Sequence, residues 1–165
     1  MFFNSCTFVL FFIVTYGMYL CLPRRGQNLL LLAASYFFYA SWDWRFLSLI
    51  LVSTAVDFSA GLMVASAKRP ARKKAALAVS VAVNLGILGF FKYFDFFAAG
   101  LQPILAKAGL SLPLPALNIV LPVGISFYTF QTMSYTIDIY RRRLEPTDSL
   151  IDFALFVSFF PQLVA

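Results

Sequence analysis

The chain has 165 residues, of which 61% are hydrophobic, 18% aromatic and only 12% charged, with a formal net charge of +6 and no histidine. Soluble domains carry about 45–50% apolar and about 25% charged residues, so this composition leaves too little polar surface to cover the chain in water. The lack of histidine excludes His-based zinc sites, His general bases and Ser-His-Asp triads from these residues. The positive charge lies in short runs beside apolar segments, which is unlike the basic face of a nucleic-acid binder.

The first apolar run covers residues 8–22. It has no basic stretch before it and no small-residue cleavage motif after it, so it reads as an uncleaved first span rather than a secretory signal. Cys6 and Cys21 lie near its two ends. A helical rise of about 1.5 Å per residue separates them by roughly 22 Å, beyond the reach of a disulfide. Residues 28–40 form a second run, short for a crossing that takes about 20 apolar residues. Residues 46–67 and 75–97 are each long enough to cross, and Lys92 and Asp95 near the end of the latter are spaced to pair. A lysine there also extends its ammonium group to the interface.

Residues 98–118 contain Gly100, Pro103, Gly109, Pro113 and Pro115, which predicts a loop at the outer surface with a short interfacial helix around residues 104–108. Trp42, Trp44 and Tyr93 fit an aromatic belt on that side. Residues 119–140 give a less apolar run of full length, and residues 151–165 begin another. The expected fold class is an all-α polytopic membrane protein, a partial bundle of about five to six apolar helices. Residues 1–165 form a single membrane-spanning region with no internal repeat and no second domain.

The basic runs test this count. The positive-inside rule places the run containing Lys68, Arg69, Arg72, Lys73 and Lys74 in the cytoplasm. Counting crossings puts Arg24 and Arg25 on the same side, together with Arg141, Arg142 and Arg143, only if residues 28–40 cross. The N-terminus is then extracytoplasmic.

Polar groups inside a span call for a partner or a purpose. Asp57 and Asn84 sit near the middles of their spans, equally far from the basic turn, and are expected to hydrogen-bond across an antiparallel hairpin. This pair acts as glue between helices or belongs to a substrate path. Tyr128, Gln131, Ser134, Tyr135 and Asp138 recur at spacings of three and four, a polar stripe on one helical face. Asp138 also has Arg141, Arg142 and Arg143 as neighbours at the interface. Pro122 and Gly124 before the stripe can bend the chain and free carbonyl groups at membrane depth. Such a stripe faces either a hydrated cavity or a packed neighbour. No phosphate-cradling loop, metal-ligand cluster or nucleophile elbow occurs.

Four stretches resemble the membrane-bound O-acyltransferase family, particularly its alginate-acetylating branch: LPVGISFYTFQTMSYTIDIY at 121–140, DFALFVSFFPQLVA at 152–165, ASYFFYASWDW at 34–44 and NLGILGFFKYF at 84–94. Teichoic-acid D-alanyl transferases share much of the pattern. The resemblance implies a bacterial inner-membrane scaffold that takes an acyl group, from acyl-CoA or an acyl carrier protein, on the cytoplasmic side. It delivers that group, acetyl by expectation, to an extracellular polysaccharide such as alginate. A separate extracytoplasmic acetyltransferase is an implied partner beside the lipid bilayer, and no bound cofactor or metal is implied.

By residue-level correspondence, Pro122, Gly124, Ser126, Tyr128 and Gln131 match the family motif, and with Ser134 and Tyr135 they are expected to shape the substrate passage. The family's catalytic histidine lies further on, so the chain is expected to be an N-terminal fragment, inactive alone, with no catalytic residue of its own. A transporter or channel subunit and a non-catalytic membrane scaffold are the competing classes.

Overall fold

A computed structural model describes residues 6–41, 43–107 and 124–162, without the side chains of residues 95, 98, 99 and 102–107. Six helices account for most of them: α1 (Cys6–Cys21), α2 (Arg24–Ala40), α3 (Trp44–Ser66), α4 (Pro70–Lys107), α5 (Ile125–Tyr140) and α6 (Leu150–Ser158). No strand occurs among the described residues.

The helix boundaries follow from local chemistry. Pro23, extended at φ −68° and ψ 160°, separates α1 from α2, and Gln27 Nε2 donates to the Tyr19 carbonyl at 3.2 Å near the end of α1. Helix α2 starts at Arg24, directly after Pro23 and earlier than the expected residue 28. Asp43 caps α3 by accepting the Arg45 N–H at 2.8 Å. Pro70 opens α4 at a first-turn position, where its missing N–H costs no hydrogen bond. Gly124 holds φ 76°, a left-handed conformation that glycine adopts without a Cβ penalty, and α5 starts immediately after it.

Two expectations are corrected. The loop predicted from residue 98 does not begin there: α4 continues through Gly100 and Pro103 to Lys107, so residues 104–107 belong to α4 rather than to a separate helix. One proline removes a single backbone donor, and here alanine, leucine and glutamine among its neighbours sustain the helix around it. The last run is also shorter than expected: α6 ends at Ser158, ahead of Pro161, which disfavours helical backbone in the residue before it. Trp42, Pro122 and residues 108–123 lie outside the described residues.

Helix α3 packs against α2, α4, α5 and α6, which makes it the centre of the assembly. Ile50 and Val64 of α3 join Leu88, Ile125, Tyr128, Ile139, Phe153 and Val157 in the main apolar core. A second cluster joins Phe8 and Phe11 of α1, Ala34 and Phe38 of α2, and Phe160 beyond α6. Its rings meet at centroid distances of 5.5–5.7 Å for Phe11–Phe160, Phe8–Phe38 and Phe38–Phe160. The Phe160 N–H donates to Ser35 Oγ at 3.2 Å, which fastens the segment after α6 to α2.

Alongside this apolar core, much large apolar surface faces outward and several polar side chains are fully buried. In α1 the single buried residue is Thr15, whereas Leu10 and Ile13 are 64% and 60% exposed. The fully buried positions of α3 and α4 include Ser53, Asp57, Ser80 and Asn84. Two stretches are long and apolar enough to cross a membrane, Trp44–Ser66 and Pro70–Phe94, with mean hydropathies of 1.9 and 1.8. The 23 residues of α3 span about 34 Å, enough for a hydrocarbon core of about 30 Å.

The α3–α5 contact is tightest at Gly61. A Cβ there would lie 2.9 Å from Tyr135 Cε1 and 3.1 Å from Ile139 Cδ1. Tyr135 cannot easily yield, because its ring lies 4.5 Å from that of Phe153 and its hydroxyl accepts the Thr147 N–H at 3.1 Å. A Cβ on Gly86 would meet nothing within 4 Å, so that position serves as the control. Gly61→Ala should destabilise by about 1–3 kcal/mol through overpacking, whereas Gly86→Ala should be neutral or stabilising by up to about 1 kcal/mol. Thermal unfolding in detergent checks this, and equal midpoints for the two variants would contradict the close approach of α3 to α5.

Candidate functional site

The hairpin of α3 and α4 places Asp57 opposite Ser80, and Ser53 opposite Asn84. Within each helix the two residues are four apart, one turn along the same face. The Ser80 hydroxyl donates to Asp57 Oδ1, and Asn84 Nδ2 donates to Asp57 Oδ2 at 2.7 Å. The second N–H of Asn84 reaches the Ser80 carbonyl at 3.0 Å. Asn84 Oδ1 accepts from Ser53 Oγ at 3.1 Å and from Thr132 Oγ1, on α5, at 3.4 Å. The Asn84 amide therefore uses both donors and both acceptor positions. Its orientation is determined, because a flipped amide would turn its oxygen against the Asp57 carboxyl group.

Ser53, Asp57, Ser80, Asn84 and Thr132 are all fully buried. No ion pair to Asp57 occurs among the described residues, so hydroxyl and amide donors alone satisfy its carboxyl group. No group of three or more His, Cys, Asp or Glu side chains able to hold a metal occurs among the described residues.

The polar stripe expected on α5 divides. Tyr128 and Tyr135 are buried, Ser126, Gln131 and Asp138 are half-buried, and Ser134 is exposed with its hydroxyl returned to the Gln131 carbonyl at 2.8 Å. Gln131 Nε2 donates to the Phe156 carbonyl of α6 at 2.9 Å. Gly124 stands at the head of the helix. The buried polar face of α5 is carried mainly by Thr129, Thr132 and Thr136, none of which was expected at the site from sequence. Their spacing of three and four was the available signal, as was the four-residue spacing of both Ser53–Asp57 and Ser80–Asn84.

Four buried polar atoms have no hydrogen-bond partner among the described residues: Thr54 Oγ1, Tyr128 OH, Thr129 Oγ1 and Gln131 Oε1. Three of the four belong to α5. Outside this region, Lys92 Nζ lies 5.6 Å from the centroid of the Tyr93 ring, and the expected Lys92–Asp95 pairing falls outside the described side chains. Asp138 makes no ion pair with Arg141, Arg142 or Arg143 among the described residues; instead its carbonyl accepts the Arg143 N–H at 2.9 Å. Cys6 and Cys21 are both free and exposed.

Asp57→Ala would leave the Ser80 hydroxyl and an Asn84 N–H, both fully buried, without this partner and should cost about 2–4 kcal/mol. Asp57→Asn, which keeps one acceptor oxygen, should cost less. Thermal unfolding and the yield of membrane-inserted protein measure both, and an Asp57→Ala protein as stable as the parent would show that the cluster does not hold the hairpin.

No protein-family model matches the chain, and no solved structure matches it. Curated relatives do. The chain is 41% identical over 167 residues to a probable alginate O-acetylase of Azotobacter vinelandii, and 43% identical over 169 residues to that of Pseudomonas aeruginosa. Each alignment covers all of this chain. A peptidoglycan O-acetyltransferase of Helicobacter pylori is 32% identical over 193 residues, covering 99% of the chain. The chain spans about a third of the length of these relatives, 33%, 32% and 36% respectively. By this identity over its whole length, the chain is related to the N-terminal part of the O-acetyltransferases of the membrane-bound O-acyltransferase type.

Proposed function

We propose that the chain forms the N-terminal membrane-spanning region, residues 1–165, of a polytopic O-acyltransferase in the bacterial inner membrane. The protein passes acyl groups, acetyl in the first instance, across the membrane for O-acylation of an extracellular polysaccharide such as alginate. The observation that carries this reading is the 41–43% identity to alginate O-acetylases over the whole chain. In this reading α1 to α5 cross the bilayer, and the N-terminus is extracytoplasmic. The basic turn at Lys68 and the run Arg141, Arg142 and Arg143 lie in the cytoplasm. The acyl donor, acyl-CoA or an acyl carrier protein, approaches from that side, and a separate extracytoplasmic acetyltransferase completes delivery.

This region supplies scaffold and passage wall rather than chemistry. It has no histidine, the natural acyl relay or general base near neutral pH, so that group belongs to the remainder of the protein. Pro122, Gly124, Ser126, Tyr128, Gln131, Ser134 and Tyr135 shape the passage. The unpartnered Tyr128 hydroxyl and Gln131 oxygen support this, because buried polar atoms left unpaired by the protein are available to water or a polar substrate. The Asp57–Asn84 pair holds the wall in register from behind.

The test is a chimera in which this chain replaces the matching N-terminal part of the Pseudomonas aeruginosa alginate O-acetylase. Acetyl esters on the secreted alginate are the expected outcome. A chimera that inserts at normal levels and yields unacetylated alginate overturns the proposal. Tyr128→Phe in the same chimera separates passage from packing. Removal of a hydroxyl that has no partner should change stability by less than about 0.5 kcal/mol, while acetyl transfer falls. Unchanged transfer would remove Tyr128 from the passage.

A further inference from the structure

Between α3 and α4 runs a groove of 580 Å3 lined mainly by small and apolar side chains, including Val56, Ser59, Ala75 and Val79. At the α3–α4 turn lies a second cleft, of 480 Å3, lined by Ser66, Lys68 and Arg69. Met63 and Arg72 line both, so the basic cleft adjoins the apolar groove. Among the described residues no acidic side chain lines either one. Lys68, Arg69 and Arg72 lie at or near the surface, and none is paired with a carboxylate among the described residues.

We propose that this composite groove is a binding site for one anionic phospholipid, whose phosphate headgroup sits at Lys68, Arg69 and Arg72 and one of whose acyl chains lies between α3 and α4. The argument is charge followed by apolar surface in a fixed order. Arg72 to Val79 is about 10 Å along a helix, so cationic groups give way to hydrocarbon lining over the distance at which a lipid's phosphate gives way to its tail. A free inorganic anion would use the cleft and leave the groove empty. A lipid without net negative charge would fill the groove but leave the positive charge of the cleft unbalanced. Clustered lysine and arginine beside a membrane span attract anionic lipid by about 1 kcal/mol per charge near the surface. The groove adds what a diffuse basic patch lacks, a seat for the tail. The proposal rests on the membrane-embedded reading of α3 and α4.

The experiment is native mass spectrometry of the full chain released from micelles, titrated with phosphatidylglycerol or phosphatidylcholine of equal chain length. Retention of phosphatidylglycerol at least about fivefold above phosphatidylcholine is expected. Lys68→Gln/Arg69→Gln/Arg72→Gln should bring the two lipids level. Ser59→Leu, on the groove wall, should lower phosphatidylglycerol retention with every charge intact. Circular dichroism confirms that each variant keeps its helix content, and Val79→Trp stands in for Ser59→Leu if that variant unfolds. Equal retention of the two lipids by the parent chain overturns the site, as does a preference that survives the charge variant. An effect of the charge variant but not of the groove variants reduces the site to an anion cleft and also overturns the lipid proposal. A chain that washes off vesicles in carbonate would instead overturn the membrane reading itself.

Discussion

A carboxyl group buried away from water must find donors, and in this protein the donors for Asp57 come from the neighbouring helix. Ser80 and Asn84 of α4 supply them, and Asn84 in turn accepts from Ser53 of α3 and Thr132 of α5. One amide thereby joins three helices. Sliding α3 against α4 by a single turn would break up this matched set, and each buried polar group left without a partner costs about 1–3 kcal/mol. That penalty defines the register of the hairpin far more sharply than contact between aliphatic side chains could, because in lipid there is little hydrophobic gain from bringing apolar faces together.

The rest of the architecture is consistent with the same constraint. Small and polar residues lie inside beside the apolar core, where they permit close approach and interhelical hydrogen bonds, while many leucine and phenylalanine side chains project outward. Gly61 lets α5 approach α3 closely enough for Tyr135 and Ile139 to pack against its backbone. Exposed apolar surface of this extent requires lipid or further protein against it. The aromatic cluster of Phe8, Phe11, Phe38 and Phe160 acts at a different place, tying α1, α2 and the segment beyond α6 together through ring packing, beside the Phe160–Ser35 hydrogen bond. Asn28 Nδ2, donating to Asp152 Oδ1 at 2.7 Å, adds a bond between α2 and α6.

Helix α5 is where structure and proposed function meet. One part of its surface satisfies the neighbouring helices through Thr132 and, at Gln131 Nε2, the Phe156 carbonyl. The hydroxyls of Tyr128 and Thr129 and the Gln131 oxygen remain buried without a partner among the described residues. A helix that serves only as packing has little reason to retain such groups, whereas a wall of a polar passage has a direct use for them. Gly124 sets where this helix begins, because its left-handed backbone turns the chain directly before Ile125.

The sequence alone determined the all-helical class, the apolar exterior and the pairing of Asp57 with Asn84, since hydropathy, charge and symmetry about a basic turn are one-dimensional properties. It also contained the family motif around residues 121–140. Helix ends were less legible: Pro103 looked like a terminator, yet α4 passes through it, because one missing donor is outweighed by the helix on either side. Only the tertiary structure decided which polar residues of α5 turn inward. Tyr128 and Tyr135 do, Ser134 does not, and the threonines at 129, 132 and 136 carry most of the buried polar face. A helical stripe read from spacing spans a broad arc of surface, and the line along which a neighbour meets that arc depends on the crossing of two helices, which no single segment encodes.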